Sequence, residues 1–296
     1  MSIDSLDRAG GMSGFNRCRS DAHRERFDQM MVRWMLGSIW PLRPSRLSGL
    51  PNLAGVVCRD LFKPRDYLPD PSRALDLPDG LAGLARDLSP DVILAAYRRS
   101  LYPFSHFGPQ KWWSPAQRWA LNLENLRVTR IPRLRKCKYT VTFDTEFDTV
   151  IENCAALREG QFPLTWITAA VKRAYTDAFD SGHVHSVEVW NEQQQLVGGL
   201  YGVAAGASFS IESLFSTEPG ASRIGLLVLS WTLRRWGYGV IDAKKTATWK
   251  EMGFKPVPRE AYIAMTNASE PQSIERRWQA DQQIPDILNA LGKADG

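Results

Sequence analysis

A β-hairpin pattern in the second half of the chain constrains the fold more than any other feature. Residues 185–190 alternate between apolar and polar side chains, an Asn-Glu-Gln turn follows, and residues 195–203 return as a second strand. The next predicted elements are a strand over 207–211, a helix over 221–236 and a strand over 239–242. A meander followed by a helix and a further strand predicts an α+β domain with a mainly antiparallel sheet.

Shorter elements precede the hairpin. Ser89 and Pro90 provide an N-cap and a first-turn proline for a helix, whereas the alternating, β-branched residues of 118–147 favour strands in a small first domain. Helical periodicity covers 147–157 and 168–180. We predict four segments: an N-terminal extension (1–74), a small N-terminal α+β domain (75–145), a larger domain (146–266) and a charged C-terminal tail (267–296).

The N-terminal extension contains three kinds of sequence. Residues 1–22 are polar and turn-rich, which is typical of disorder. Apolar residues at helical spacing over 25–39 predict one amphipathic helix that docks on the body of the protein, with a membrane-surface helix as the alternative. The proline-rich stretch 41–79 predicts a wandering loop.

Composition limits the classes of function. The net charge of +5 and the pI near 9.1 suit a polyanionic partner without requiring one. The four cysteines form no C-x-x-C pair, so we expect neither a metal site nor a disulfide framework, and a reducing cytoplasm is the expected location. We expect no secretory signal and no transmembrane segment. No P-loop, G-x-S-x-G or G-x-G-x-x-G motif occurs in the sequence.

Several segments, in order over residues 75–262, resemble one family. They include Leu77-Pro78-Asp79-Gly80-Leu81, Ala96-Tyr97-Arg98-Arg99, Tyr102-Pro103, Trp112-Trp113-Ser114-Pro115, Thr165-Trp166-Ile167-Thr168, Leu196-Val197-Gly198-Gly199-Leu200, Glu212-Ser213-Leu214-Phe215-Ser216 and Ile241-Asp242. Together they resemble the leucyl/phenylalanyl-tRNA–protein transferases. The resemblance implies a small N-terminal domain joined to an acetyltransferase-like (GNAT-like) catalytic domain.

The resemblance also implies an activity. Such an enzyme would move leucine or phenylalanine, or methionine, from an aminoacyl-tRNA to proteins that begin with arginine or lysine, and so mark them for degradation. No metal or organic cofactor is implied, because the aminoacyl ester is already activated. The expected enzyme is cytoplasmic and monomeric, with the charged tRNA and the acceptor protein as its partners.

The site residues follow from the matched segments. Asp242 and Glu212 match substrate-binding carboxylates and, with Lys244, form the predicted catalytic group. Trp166 matches a tryptophan that lines the pocket for the aminoacyl side chain and the terminal adenosine, where a ring can stack on adenine. The other predicted substrate-binding residues are Phe104, Trp112, Trp113, Gly198, Gly199 and Ser213. His183 and His185 are candidate bases, although a structural role is favoured for each.

This chain departs from the family pattern near the predicted chemistry. Lys244 stands where the family has a glutamine that is often assigned to a proton relay, and Phe104 replaces the usual tryptophan. Lys245 and Trp249 also depart from the pattern. A protonated lysine cannot accept a proton unless burial lowers its pKa strongly, and a charged Lys244 beside Asp242 is expected to pair with that aspartate. Two alternatives therefore stay open: an enzyme with a small-molecule or lipid amine as its acceptor, and an inactive tRNA-binding relative.

A basic cluster resembles the family's patch for the tRNA acceptor stem, which is bound through backbone charge and shape. The predicted tRNA-binding residues are Arg130, Arg133, Arg135, Lys136 and Lys138, with Arg127 beside them. A solvated strand surface is the alternative interpretation.

Overall fold

A computed structural model describes residues 49–106, 108–126, 138–157, 164–244, 253–267 and 277–294, together with residues 27, 31–33, 35 and 136. Its helices are α1 (Leu50–Leu61), α2 (Pro90–Arg98), α3 (Phe147–Ala155), α4 (Ala169–Asp180), α5 (Ala221–Arg235), α6 (Arg259–Asn267) and α7 (Ile284–Ala294). Its strands are β1 (Leu81–Leu84), β2 (Tyr102–Pro103), β3 (Lys111–Trp113), β4 (Gln117–Asn122), β5 (Thr140–Phe143), β6 (Val184–Trp190), β7 (Leu196–Ala205), β8 (Ser208–Ser216), β9 (Val240–Ala243) and β10 (Lys255–Pro258).

A seven-stranded sheet forms the centre of the protein, in the order β10-β4-β9-β8-β7-β6-β5. Every neighbouring pair is antiparallel except β8 and β9, which are parallel and joined through α5. The predicted α+β class with a mainly antiparallel sheet is confirmed. This order of elements also agrees with the acetyltransferase-like domain expected from the sequence.

The strands found within the predicted small first domain, 75–145, lie in two different sheets. A three-stranded sheet of order β1-β3-β2 packs around Ala96, Leu101 and Trp112. In contrast, β4 and β5 are hydrogen-bonded into the seven-stranded sheet, β4 between β9 and β10, and β5 beside β6. The large sheet thus contains strands from both sides of the predicted boundary at residue 145, and that boundary stays a prediction.

Each face of the large sheet is covered by a separate apolar core. On one face, α5 and α7 pack against residues such as Leu200, Phe209 and Ile241. On the other face, α2, α3 and α4 cover Tyr201 and its neighbours on β7, while Tyr262 of α6 packs on Ala120 and Val240. Because side chains alternate along a strand, Asp242 shares this second face with Val240.

Two β-bulges interrupt the meander β6-β7-β8, one in the predicted hairpin of β6 and β7 and one between β7 and β8. In the first, Val189 lies opposite Gly198 and Trp190 opposite Leu196, which leaves Val197 as an extra residue on β7. In the second, Tyr201 lies opposite Ser213 and Gly202 opposite Ile211, so Glu212 is the extra residue on β8. A bulge bends its strand and redirects side chains. The position of the Glu212 side chain therefore does not follow from simple alternation along β8.

The proline-rich loop predicted over 41–79 is wrong for residues 50–61, which form α1. Pro51 lies in the first turn, where a missing N–H removes no helical hydrogen bond, so this proline is compatible with a helix. Residues 27, 31–33 and 35 are helical, as predicted for 25–39, and the remainder of that segment and residues 1–22 lie outside the described residues.

The C-terminal tail contributes to the core through Trp278, whose side chain is buried. Its indole stacks on the His185 ring at 3.6 Å between centroids, and the Nδ1 of His185 lies 2.7 Å from the carboxylate of Asp144. These contacts give His185 a structural role. Among the described residues, no helix is long and apolar enough to cross a membrane.

Candidate functional site

A cavity opens where β8 and β9 separate. Their parallel pairing ends at Ile211 opposite Ala243, and β8 then continues to Ser216 without β9. The cavity encloses about 340 Å³ and is lined by Asp79, Tyr102, residues 115–119, residues 210–212, Asp242, Ala243 and Lys244. The three residues predicted as catalytic, Asp242, Glu212 and Lys244, therefore line one cavity.

Asp242 is buried and surrounded by hydrogen-bond donors. Ser210, its direct neighbour in the parallel register, donates to Oδ1, and the Tyr262 hydroxyl donates to the same oxygen at 2.8 Å. Arg118 donates to Oδ2 through Nε at 3.0 Å and also through Nη2. Four donors thus occupy the carboxylate, so Asp242 can accept a proton only if one of these hydrogen bonds breaks.

Arg118 reaches Asp242 from the neighbouring strand β4. Its guanidinium lies between the rings of Tyr102 and Tyr262, 4.9 and 4.7 Å from their centroids, and Nη1 donates to the Ser100 carbonyl at 3.1 Å. Burial disfavours its charge, but Asp242 and the two phenols outweigh burial, and the pKa of Arg118 lies above its usual value. The two residues therefore form a buried ion pair with satisfied hydrogen bonds.

Glu212, the bulged residue of β8, contacts a different group of donors. The Tyr97 hydroxyl donates to Oε1 at 2.5 Å, and the Tyr175 hydroxyl donates to Oε2 at 3.0 Å. Burial, followed by the charge of Glu212, raises the pKa of both tyrosines well above the usual value, so both phenols stay protonated and keep donating. Tyr97 and Tyr175 come from α2 and α4, so two helices position this carboxylate.

Lys244 pairs with Glu212, and the predicted pairing with Asp242 is wrong. Its Nζ donates to Oε2 of Glu212 at 3.0 Å. The physical reason is that Arg118, Ser210 and Tyr262 already donate hydrogen bonds to both carboxylate oxygens of Asp242. Glu212, in contrast, presents its Oε2 to Lys244 at the end of β9. Burial lowers the pKa of Lys244, and the charge of Glu212 opposes this shift.

Three aromatic rings surround the ammonium of Lys244. Its Nζ lies 3.6 Å from the ring centroid of Trp166, and 5.3 Å from those of Tyr102 and Phe104. These distances are within the range of a cation–π interaction. We call Tyr102, Phe104, Trp166 and Glu212 the cation box.

Hydrogen bonds from outside the box hold the backbone of Phe104 and of the residue before Trp166. The Trp113 indole donates to the Phe104 carbonyl at 2.8 Å. Arg33, from the N-terminal extension, donates to the carbonyl of Thr165 at 3.0 Å and to that of His106. The extension thus bridges the two segments that carry Phe104 and Trp166.

None of the seven residues predicted to bind substrate is among the lining residues of this cavity. Phe104 and Trp166 contact the ammonium of Lys244, and Trp113 donates to the Phe104 carbonyl. The other four have packing positions. Trp112 is buried in the core of the small sheet, and Ser213 follows Glu212 on β8, opposite Tyr201. Gly198 and Gly199 have packing roles: a Cβ on Gly198 would lie 2.8 Å from that of Ala221, and one on Gly199 would lie 2.8 Å from the Val187 carbonyl oxygen. These contacts explain both glycines by close packing, without the substrate contact that the sequence led us to expect.

Most of the predicted tRNA-binding cluster lies outside the described residues, including Arg127, Arg130, Arg133 and Arg135. Lys136 is exposed. Lys138 is exposed and pairs with Glu192 at 3.0 Å. Lys245 and Trp249 also lie outside the described part of the chain.

Sequence reasoning missed the residues that hold the two carboxylates, namely Arg118, Ser210, Tyr175 and Tyr262. One signal was available for Arg118: alternation along 118–122 places this charged residue on the same side of a strand as the small, apolar Ala120. A charge on an inward-facing position needs a buried partner, but local pattern does not say which one. Among the described residues, no group of three or more His, Cys, Asp or Glu could hold a metal ion.

The fold and the site together define an α+β protein with a polar, aromatic-walled cavity at the ends of two parallel strands. Comparison with known proteins identifies the family to which the chain belongs. Residues 121–267 match the family model of leucyl/phenylalanyl-tRNA protein transferase, and residues 86–116 match that of its N-terminal domain. The chain belongs to the leucyl/phenylalanyl-tRNA–protein transferase family, whose members are aminoacyltransferases.

Two relatives agree with this assignment. The leucyl/phenylalanyl-tRNA–protein transferase of Thiobacillus denitrificans is 41% identical over 70% of this chain and 91% of its own length. That of Hydrogenovibrio crunogenus is 39% identical over 70% of this chain and 85% of its own length. Among solved structures, a GCN5-related N-acetyltransferase from Kribbella flavida matches with a TM-score of 0.29 and 11% identity, over 54% of this chain and 58% of that one.

Proposed function

We propose that the protein transfers leucine, phenylalanine or methionine from charged tRNA to the N-terminal amine of proteins that begin with arginine or lysine. In this proposal the product is marked for degradation in the cytoplasm. The observation that carries it is the convergence of Glu212, Asp242 and Lys244 on one cavity beside Trp166. All four residues fall within the range matched by the family model.

The reaction joins an amine to an ester carbonyl. The new C–N bond forms as the nitrogen lone pair attacks, the ester C–O bond breaks, and the ribose oxygen of the tRNA leaves with a proton that the amine gives up. Such a reaction needs positioning, a route for this proton and donors for the developing oxyanion.

Glu212 is the carboxylate that suits the acceptor. Its Oε2 already holds the ammonium of Lys244 at 3.0 Å, and a substrate ammonium has the same charge and donors. We therefore assign acceptor binding to Glu212, and the proton route to Glu212 or to the tRNA ribose. The two oxygens of Asp242 already accept four hydrogen bonds from the protein itself, two of them from Arg118. We therefore assign Asp242 the role of holding Arg118 in place.

A transfer assay tests the proposal. The full chain is incubated with radiolabelled Phe-tRNA or Leu-tRNA and a peptide that starts with arginine, and the matched control peptide starts with N-acetylarginine. We expect label on the first peptide alone, because acetylation removes the nucleophilic lone pair.

Three outcomes contradict this proposal. Label on a small amine but not on the peptide favours a different acceptor. Hydrolysis of the ester without transfer contradicts the assigned acceptor role of the cavity. Binding of charged tRNA without either reaction favours an inactive tRNA-binding relative.

A further inference from the structure

We propose that Lys244 is a specificity-determining residue that acts as an internal competitor of the acceptor: its ammonium fills the cation box and must leave before a cationic group of the substrate can bind there. This inference rests on the proposed function for its choice of ligand, an N-terminal residue with an ammonium or guanidinium group. Its geometric basis is independent of any transfer reaction.

The cation box has the composition of a site for an organic cation. The faces of Tyr102, Phe104 and Trp166 supply a negative quadrupole, and Glu212 supplies a full negative charge. Aromatic rings around an ammonium are the usual way in which proteins recognise such ligands. Lys244 thus shows which group the box accepts and, in the present conformation, prevents a second cation from entering.

The side chain of Lys244 can leave the box because of where it is attached. It follows the last residue of β9, its four methylene groups are flexible, and 22% of the side chain is exposed. Arg118, in contrast, is held by Asp242 and by two tyrosine rings and is only 5% exposed. Of these two cavity cations, Lys244 is the one whose removal leaves the buried ion pair intact.

Competition predicts how a lysine in this position affects the proposed transfer. A neutral glutamine leaves the box open, whereas Lys244 adds an ion pair and cation–π contacts that an incoming cation must replace. The expected consequence is a weaker binding of cationic acceptors and a higher KM, with little change in kcat once the acceptor is bound.

Isothermal titration of the full chain with arginyl-alanine amide tests the competition without tRNA. We expect K244M and K244Q to bind this dipeptide at least about fivefold more tightly than the unchanged protein. Trp166→Ala added to K244M should remove most of that gain, because it removes the closest ring. The matched control is Lys63→Met, which removes an exposed lysine that lies 5.5 Å from the Tyr67 ring and does not line the cavity. The affinity of this variant should equal that of the unchanged protein.

The outcomes separate this inference from the proposed function. Circular dichroism first establishes that each variant is folded. Equal or weaker binding by both folded Lys244 variants overturns the competition, even if the protein transfers amino acids. Tighter binding by these variants supports the competition. If the protein then transfers no amino acid to an Arg-starting peptide, only the proposed function is contradicted.

Discussion

At the scale of single residues, the site consists of two carboxylates with different surroundings. Asp242 accepts hydrogen bonds from Arg118, Ser210 and Tyr262, while Glu212 accepts them from two tyrosines and the flexible Lys244. A substitution at Asp242 therefore alters a buried ion pair as well as any chemistry. The sequence led us to expect that Asp242→Ala abolishes transfer but leaves tRNA binding nearly intact.

The structure changes the expected effect of Asp242→Ala. We expect it to lower the free energy of unfolding by about 3–5 kcal/mol, because the charge of Arg118 stays buried without its partner. The double substitution Arg118→Met with Asp242→Leu should lose much less stability, since it leaves no unpaired charge. Urea unfolding of the three proteins measures both differences. A single variant within about 1 kcal/mol of the unchanged protein would show that Arg118 finds another partner or water.

At the scale of elements, the contact between β7 and α5 depends on small residues. Gly198 allows the first turn of α5 to approach, and Gly225 of α5 leaves room for Val189 of β6. These glycines belong to the packing between the sheet and its longest described helix. Their position explains a Gly-Gly pair inside a strand without any contact to substrate.

Gly198→Ala should destabilise the protein by about 1–3 kcal/mol through overpacking against Ala221. The matched control is Gly55→Ala in α1, where a Cβ would meet no atom within 4 Å. That change should be stabilising by about 0.5–1 kcal/mol, because alanine is the better helix former. Thermal or urea unfolding gives both values. If Gly198→Ala keeps its stability but loses transfer, the substrate role predicted from the sequence is favoured over packing.

At the scale of the whole molecule, the chain combines a net charge of +5 with a cavity that is lined by both charged and aromatic side chains. In the sequence, the predicted tRNA-binding cluster follows β4 and precedes β5, the two strands that join the large sheet on opposite sides of β9, β8, β7 and β6. Phosphates are bound through charge, so these residues are expected to set affinity rather than selectivity.

Changing Arg133 and Arg135 together to alanine should weaken tRNA binding and flatten its salt dependence. We expect the slope of log K against log salt to fall by roughly one unit for each lost phosphate contact. Titrations from low to moderate salt measure this slope. Arg65→Ala with Arg73→Ala removes the same net charge from exposed positions in another segment and should leave the slope unchanged. An unaltered slope in the Arg133 and Arg135 double variant would show that these two arginines do not contact tRNA phosphates.

Local patterns determined much of the fold. The hairpin of β6 and β7, the third strand, α5 and β9 appear in the predicted order, because alternation and helical periodicity depend on residues close in sequence. The predicted loop over 41–79 was wrong at Pro51. We interpreted this proline as a loop signal, but it lies in the first turn of α1, where proline is compatible with a helix. The matched segments also selected Asp242, Glu212 and Lys244, and the structure places them around one cavity.

Only the tertiary structure decided how these residues are paired. Arg118 meets Asp242 across 124 positions because β4 lies beside β9, and a bulge on β8 directs Glu212 toward Tyr97 and Lys244. Strand order, register and bulges depend on contacts between distant segments, so no local pattern of residues contains them. The sequence by itself therefore determined the two carboxylates and the lysine of the site, and the sheet determined which charge each of them meets.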